Sequence, residues 1–292
     1  MTPRLGIAAL MLIATIFGAN HVAARVAFDH GTSVSAAVAM RSAATAVVLF
    51  LMLRMLRVPL GLGQGNLGKA LAVGVLVAIQ SYCLYSSVAL IPVALALLVF
   101  NVYPMLFMLL AAATGKEAIR PSALIAMPVA LVGLALVLDV RLEGWDARWR
   151  ELGAGVAWAL GAGVSFSLVL FCNAHWLKAM DGRVRTLAMM VVTAAILLVL
   201  GAASGTMALP RDGTGWIGLV LLTLLYGIAI TSLFTVLPRV TGGASSTVAL
   251  NFEPIAVLGI AWVVLGQAFK PLQIVGALVV VGAIAWLSLA KR

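Results

Sequence analysis

Two short stretches buried in apolar sequence carry residues that could do chemistry. Leu97 to Phe107 reads LLVFNVYPMLF, and Val248 to Leu258 reads VALNFEPIAVL. Each sets an asparagine three residues before a proline, Asn101 before Pro104 and Asn251 before Pro254. Proline donates no backbone hydrogen bond and leaves the carbonyl four residues earlier without its helical partner. A nearby amide can take up such a freed group. Asn101 and Asn251 therefore read as helix repair, or as part of a cavity wall in which freed carbonyls meet a ligand. Between asparagine and proline the copies differ, with Tyr103 in the first and Glu253 in the second. Of the nine acids, Glu253 is the one expected at mid-membrane. It reads either as a hydrogen-bonded structural carboxyl beside a proline bend, or as a site for a substrate amine or a proton.

Other polar residues interrupt the apolar runs. Asn20 and His21 lie in the first run, and Asn173 and His175 in the sixth. His21 could carry a proton or simply pack through a hydrogen bond. Arg25 has Asp29 four residues on, the spacing of a helical ion pair. Arg41 has no acid at helical spacing. A carbonyl, Glu253 or a substrate carboxylate could each answer it. Gln80, Tyr82 and Tyr85 cluster in the third run; Tyr103, Trp158 and Tyr226 complete a set of aromatic and amide groups able to stack on an aromatic ligand. Trp145, Trp149 and Trp216 flank apolar runs and read as interfacial. No phosphate-cradling glycine loop and no zinc-protease spacing occur, so no metal, cofactor or ATP motor is expected. Cys83 and Cys172 imply neither a disulfide framework nor a metal site.

The elements that must position these residues follow from composition. Of 292 residues, 64% are hydrophobic and 10% charged, against about 25% charged in a soluble domain. The apolar runs are near the length that spans a bilayer as a helix. Ten spans are expected: 5–27, 33–53, 69–90, 92–114, 122–139, 152–175, 185–204, 215–237, 243–265 and 271–290. The first run continues past Ala24, too long for a cleaved leader. The net charge of +10 lies mostly between runs, where it answers to lipid and topology rather than nucleic acid. With the N-terminus inside, twelve basic residues fall inside (Arg4, Arg54, Arg57, Lys69, Lys116, Arg120, Lys178, Arg183, Arg185, Arg239, Lys291, Arg292) and five outside (Arg141, Arg148, Arg150, Arg211, Lys270). Both termini are expected in the cytoplasm.

The chain also repeats itself. YSSVALIPVALALLVFNVYP aligns with FTVLPRVTGGASSTVALNFEP, and GKEAIRP with GQAFKP. The halves are 1–141 and 142–292, with five helices each. An odd number turns the second half over, giving an inverted repeat of the kind many secondary transporters use. The fold class expected is an all-α integral membrane protein of two inverted five-helix repeats in one membrane domain.

On FGANHVAARVAF (17–28), Arg41, YCLYSSVALIPVALALLVFNVYP (82–104), AWALGA (157–162) and SSTVALNFEPIAVLGIAWVVLGQAFKPLQIVGALVVVGA (245–283), the chain resembles the EamA-type branch of the drug/metabolite transporter superfamily. Within it the chain is most similar to the YddG-type aromatic amino-acid exporters of bacterial inner membranes. The family commonly shows Gly-Glu before its last helix; here Gly266-Gln267 leaves one carboxylate fewer. The resemblance implies ten helices around a central cavity and export of amino acids and related metabolites by a monomer needing no ATPase subunit. A broad metabolite or drug exporter is the alternative within transport; a membrane enzyme or lipid scramblase is the alternative outside it.

Overall fold

The computed structural model of the chain describes residues 3–61, 66–116, 121–137, 145–236, 252–268 and 270–289. The described residues form helices and short connections, with no strand among them. In chain order the helices are α1 Pro3–Asp29, α2 Val34–Met55, α3 Asn66–Leu90, α4 Val93–Phe100, α5 Tyr103–Ala113, α6 Pro121–Val137, α7 Trp145–His175, α8 Gly182–Ala203, α9 Gly213–Val236, α10 Glu253–Leu265 and α11 Pro271–Leu289. Seven segments among the described residues are long and apolar enough to cross a bilayer, α4 and α5 counting as one; shorter apolar helices accompany them. Large side chains such as Val199, Ile217 and Val263 stand exposed on the outside of the bundle, where lipid is their natural solvent.

Local signals set the helix ends. Ser33 Oγ accepts the Ala36 N–H at 3.2 Å and caps α2. Asp181 Oδ1 accepts the Arg183 N–H at 2.8 Å ahead of α8, and Asp212 Oδ1 accepts the Gly215 N–H at 2.9 Å ahead of α9. A short polar side chain at such a position satisfies N–H groups that have no partner within the helix. α10 stops at Gly266, whose φ of 62° lies in the left-handed region that glycine enters freely. α7 starts seven residues before the expected span of 152–175, because apolar length locates membrane depth and not the helix end. WDARWRE (145–151) adds two polar turns to the same helix.

The fourth expected span, 92–114, is two helices rather than one. α4 ends at Phe100, and α5 starts at Tyr103 with Pro104 in its first turn. α10 starts at Glu253 with Pro254 in the matching place. The residues before them have nearly the same backbone, φ −69° and ψ −14° at Val102, φ −72° and ψ −16° at Phe252. The two prolines therefore begin helices, where a missing N–H costs nothing. The expectation that Pro254 bends a helix cannot be followed upstream of Phe252, where the chain lies outside the described residues. Asn251 and the first half of the ninth expected span lie outside the described residues.

α1 packs on α9 and α10, α3 on α7 and α8, α2 on α8 and α9, α6 on α11, and α4 and α5 on α7. Small residues permit the close contacts. A Cβ at Gly218 of α9 would stand 2.8 Å from the Ala27 nitrogen and 3.0 Å from the Ala23 oxygen, both backbone atoms of α1. Arg25 of α1 meets Asp29 at 2.9 Å, as its spacing implies, and also donates to the Val88 and Ala89 carbonyls at 3.1 and 3.2 Å. It thereby closes the C-terminal end of α3.

Candidate functional site

A cavity of about 280 Å³ lies among α1, α2, α3, the end of α4, α5, α7, α9 and α10. His21, Arg41, Gln80, Tyr85, Asn101, Tyr103, Tyr226 and Glu253 line it. Residues far apart in sequence thus meet at one place. Asn20 is fully buried behind them.

These polar groups form a connected chain. Arg41 Nη1 donates to the Tyr85 hydroxyl at 2.9 Å, and Arg41 Nη2 donates to Ser81 Oγ at 3.1 Å. The Tyr85 hydroxyl donates in turn to Asn20 Oδ1 at 2.6 Å. Asn20 Nδ2 ends the series on the Leu222 carbonyl of α9, also at 2.6 Å. Four helices are tied by one directional relay, and every orientation in it is determined by the carbonyl at its end. The Arg41 guanidinium lies over the Tyr226 ring, 3.9 Å from its centroid, a favourable place for a cation. The His21 ring stands 5.4 Å from that of Tyr85, centroid to centroid, and its Nε2 lies 3.3 Å from Glu253 Oε1. His21 Nδ1 is buried without a partner. Tyr103 and Glu253, the residues that differ between the two copies of the motif, thus face the same space as the first residues of α5 and α10.

The rest of the wall is aromatic. The ring of Tyr103 meets Phe166 edge-on at 4.8 Å and Phe100 at 5.2 Å; Phe17 meets Tyr226 edge-on at 6.0 Å. The chemistry-bearing spacings in the sequence do not single out Phe17, Ser81, Phe100 or Phe166. Phe17 stands four residues before His21 and Ser81 four before Tyr85, so helical spacing alone places each on the face of a residue that they do single out.

Asn101 is used differently from the expectation. Its amide donates to the Leu97 carbonyl at 2.7 Å, which its own backbone N–H also reaches at 2.9 Å. The carbonyl that a proline at 104 would free belongs to Phe100. With α4 already ended at Phe100, Asn101 finishes α4 rather than repairing a break at Pro104.

Tyr82 and Trp158 lie elsewhere. They meet edge-on at 5.8 Å and line a larger, mostly apolar pocket of about 480 Å³ among α2, α3, α7 and α8. Both are partly open, 37% and 38% exposed. Helix geometry explains the separation: Ser81 and Tyr85 face Arg41, and Tyr82 is about 100° further round α3 than Ser81.

A helical membrane bundle that encloses a cavity with charged, amide and aromatic walls has the build of a transporter for small solutes. The family model for EamA-like transporters matches residues 4–139 and again 153–289. The chain belongs to that family, and so is a multi-pass membrane transporter of small metabolites. A solved crystal structure described only as that of a protein matches with a TM-score of 0.64 at 16% identity, over 97% of this chain and 95% of that chain. At that identity the likeness is one of fold. No curated protein sequence matches the chain.

Proposed function

We propose that the protein is a secondary exporter of amino acids, aromatic ones preferred, and of related metabolites, working by alternating access in the bacterial inner membrane as YddG-type exporters do. The observation that carries this reading is the cavity itself. It offers a cation at Arg41, a carboxylate at Glu253 and aromatic faces at Tyr103, Phe166 and Tyr226. A solute with an acid, an amine and a ring matches all three. The volume of about 280 Å³ sits near the lower end of the roughly 300–1,000 Å³ of small-molecule sites, the scale of a single metabolite.

Alternating access is supported by the helix packing. Exchanging the halves 1–141 and 142–292 turns the α1–α9 contact into α7–α3, α1–α10 into α7 with α4 and α5, and α2–α9 into α8–α3; the α2–α8 and α6–α11 contacts map onto themselves. Each of these contacts is present. In an inverted repeat such an exchange interconverts inward and outward openings. The inside excess of Lys and Arg favours cytoplasmic termini. The cavity lies within one chain, which suits a monomer driven by solute or proton gradients with no ATPase subunit.

The test is counterflow in liposomes that hold this protein alone. Radiolabelled tryptophan should accumulate against preloaded cold tryptophan, and a competitor panel should rank aromatic amino acids first. Lipid flip without solute movement would instead favour a scramblase.

A further inference from the structure

Arg41 is a cation held inside the bundle, 2% exposed. Arginine stays protonated in proteins, so it cannot shed its charge on burial as lysine or histidine can. Among the described residues it has no carboxylate within ion-pair distance; the ion pairs there are His21–Glu253, Arg25–Asp29, His30–Asp212 and Arg183–Asp181. A guanidinium carries five N–H donors. Two are used, one by the Tyr85 hydroxyl and one by Ser81 Oγ. Nε is buried with no partner. The ring of Tyr226 under the guanidinium and the relay through Tyr85 to Asn20 hold the fork in place, yet neither supplies a negative charge.

Arg25 shows what a purely bracing arginine does in this same bundle. It closes on the Asp29 carboxylate and on the carbonyls of Val88 and Ala89. Arg41 is oriented as firmly and left incomplete, and it faces the cavity.

Resting on the transport reading above, we infer that Arg41 is the carboxylate site of the cavity: the transported solute carries a carboxylate, which docks on the N–H groups that Tyr85 and Ser81 leave free. The planar fork matches a carboxylate in two-point geometry. A single-charged carboxylate fits better than a phosphate dianion. Among the described lining residues Arg41 is the only arginine or lysine, and the Glu253 carboxylate lies in the same cavity. Tyr85 and Asn20 are positioning residues, since they hold the fork without reaching the solute's acid.

The test compares indole solutes that keep the acid with indole solutes that lack it. Purified wild-type protein in liposomes is assayed for tryptophan counterflow with unlabelled tryptophan, indole-3-propionate, tryptophan amide and tryptamine as competitors. Tryptophan and the indole acid should compete; the amide and the amine should be weaker by about 10- to 100-fold, the range for a hydrogen bond to a charged group. Equal competition by the amide overturns the inference and leaves amino-acid transport standing. If tryptophan is not carried, the thermal melt of the purified protein decides: stabilisation by indole-3-propionate and not by tryptophan amide keeps the carboxylate site and removes the amino-acid reading, and equal stabilisation overturns the site. Arg41→Lys keeps the charge and loses the fork. It should raise KM for tryptophan by about tenfold or more and shrink the acid-over-amide preference. A uniform loss across all solutes would instead mark Arg41 as a brace.

Discussion

Tyr85→Phe removes one oxygen atom and tests the relay at its centre. Tyr85 is 1% exposed, so no water can replace the hydroxyl without repacking. The change leaves Arg41 Nη1 and Asn20 Oδ1 each short of a partner. The neutral bond to Asn20 is modest by comparison with hydrogen bonds measured between membrane helices, about 0.6 kcal/mol on average. The bond from the guanidinium contributes more, about 1.5–3 kcal/mol for a charged donor. Together they predict a loss of about 2–4 kcal/mol, most of it from the arginine side. Reversible denaturant unfolding of the purified protein in detergent micelles reads this directly. Asn20→Leu should cost less, because it leaves the Tyr85 hydroxyl still accepting from Arg41. The Tyr85→Phe, Asn20→Leu double variant should fall short of the sum of the single losses, since both break the same bond. If Tyr85→Phe lies within about 0.5 kcal/mol of wild type, the value usual for an uninvolved surface site, the relay does not hold Arg41.

Other outcomes follow from the same geometry. Glu253→Gln should keep the fold, because the amide still reaches His21, but should lower export; normal flux would make the carboxylate structural. Gly218→Ala should destabilise by about 1–3 kcal/mol through overpacking against the α1 backbone, seen as a lower melting temperature with an unchanged substrate ranking. The Gly215 N–H, and after it His30, hold the Asp212 carboxyl below its ordinary value of 3.8. A depressed acid stabilises the fold above its unfolded value and loses that contribution as pH falls through the folded one. Asp212→Asn should therefore flatten the decline of melting temperature below about pH 4. Cysteines introduced at Ala147 and Gly65 should react with an impermeant reagent from opposite sides of the membrane; reaction from one side would remove both the orientation and the inverted repeat.

How much of the molecule is legible in the sequence depends on the reach of each signal. Apolar run length locates most helices to within a few residues, because span length is set by the bilayer and not by tertiary contacts. It misses the polar start of α7 and the division of 92–114 into two helices, since composition carries no mark of where a backbone hydrogen bond stops. The cavity residues can be found by type, because a polar group among apolar ones has few places to go. Their wiring cannot. Arg41 answers to Tyr85 and Ser81, about forty residues away, and nothing in local spacing favours these over Glu253 or a carbonyl. Tyr82 groups with Tyr85 by closeness in sequence, and the two stand only about 60° apart around α3, yet they fall on either side of the divide between two pockets. Phe17 and Ser81 are readable by the i, i+4 rule, but their neighbours have more evident chemistry and draw the eye first.

The division between α4 and α5 has a mechanical consequence. In α4 each residue from Val93 to Val99 is buried, so that helix is gripped on every side. In α5 only Met105, Met108 and Ala111 are buried, a single stripe along one face. A rod gripped on every side joined end to end with one gripped along a single face has the build of a lever, with the Asn101–Tyr103 joint at the cavity as its fulcrum. Eleven residues at about 1.5 Å each give an arm of about 16 Å. A swing of about 15° moves the far end of such an arm by about 4 Å while barely displacing Tyr103. Large travel at the protein surface and a nearly stationary cavity wall at Tyr103 are thus compatible in one continuous stretch of chain.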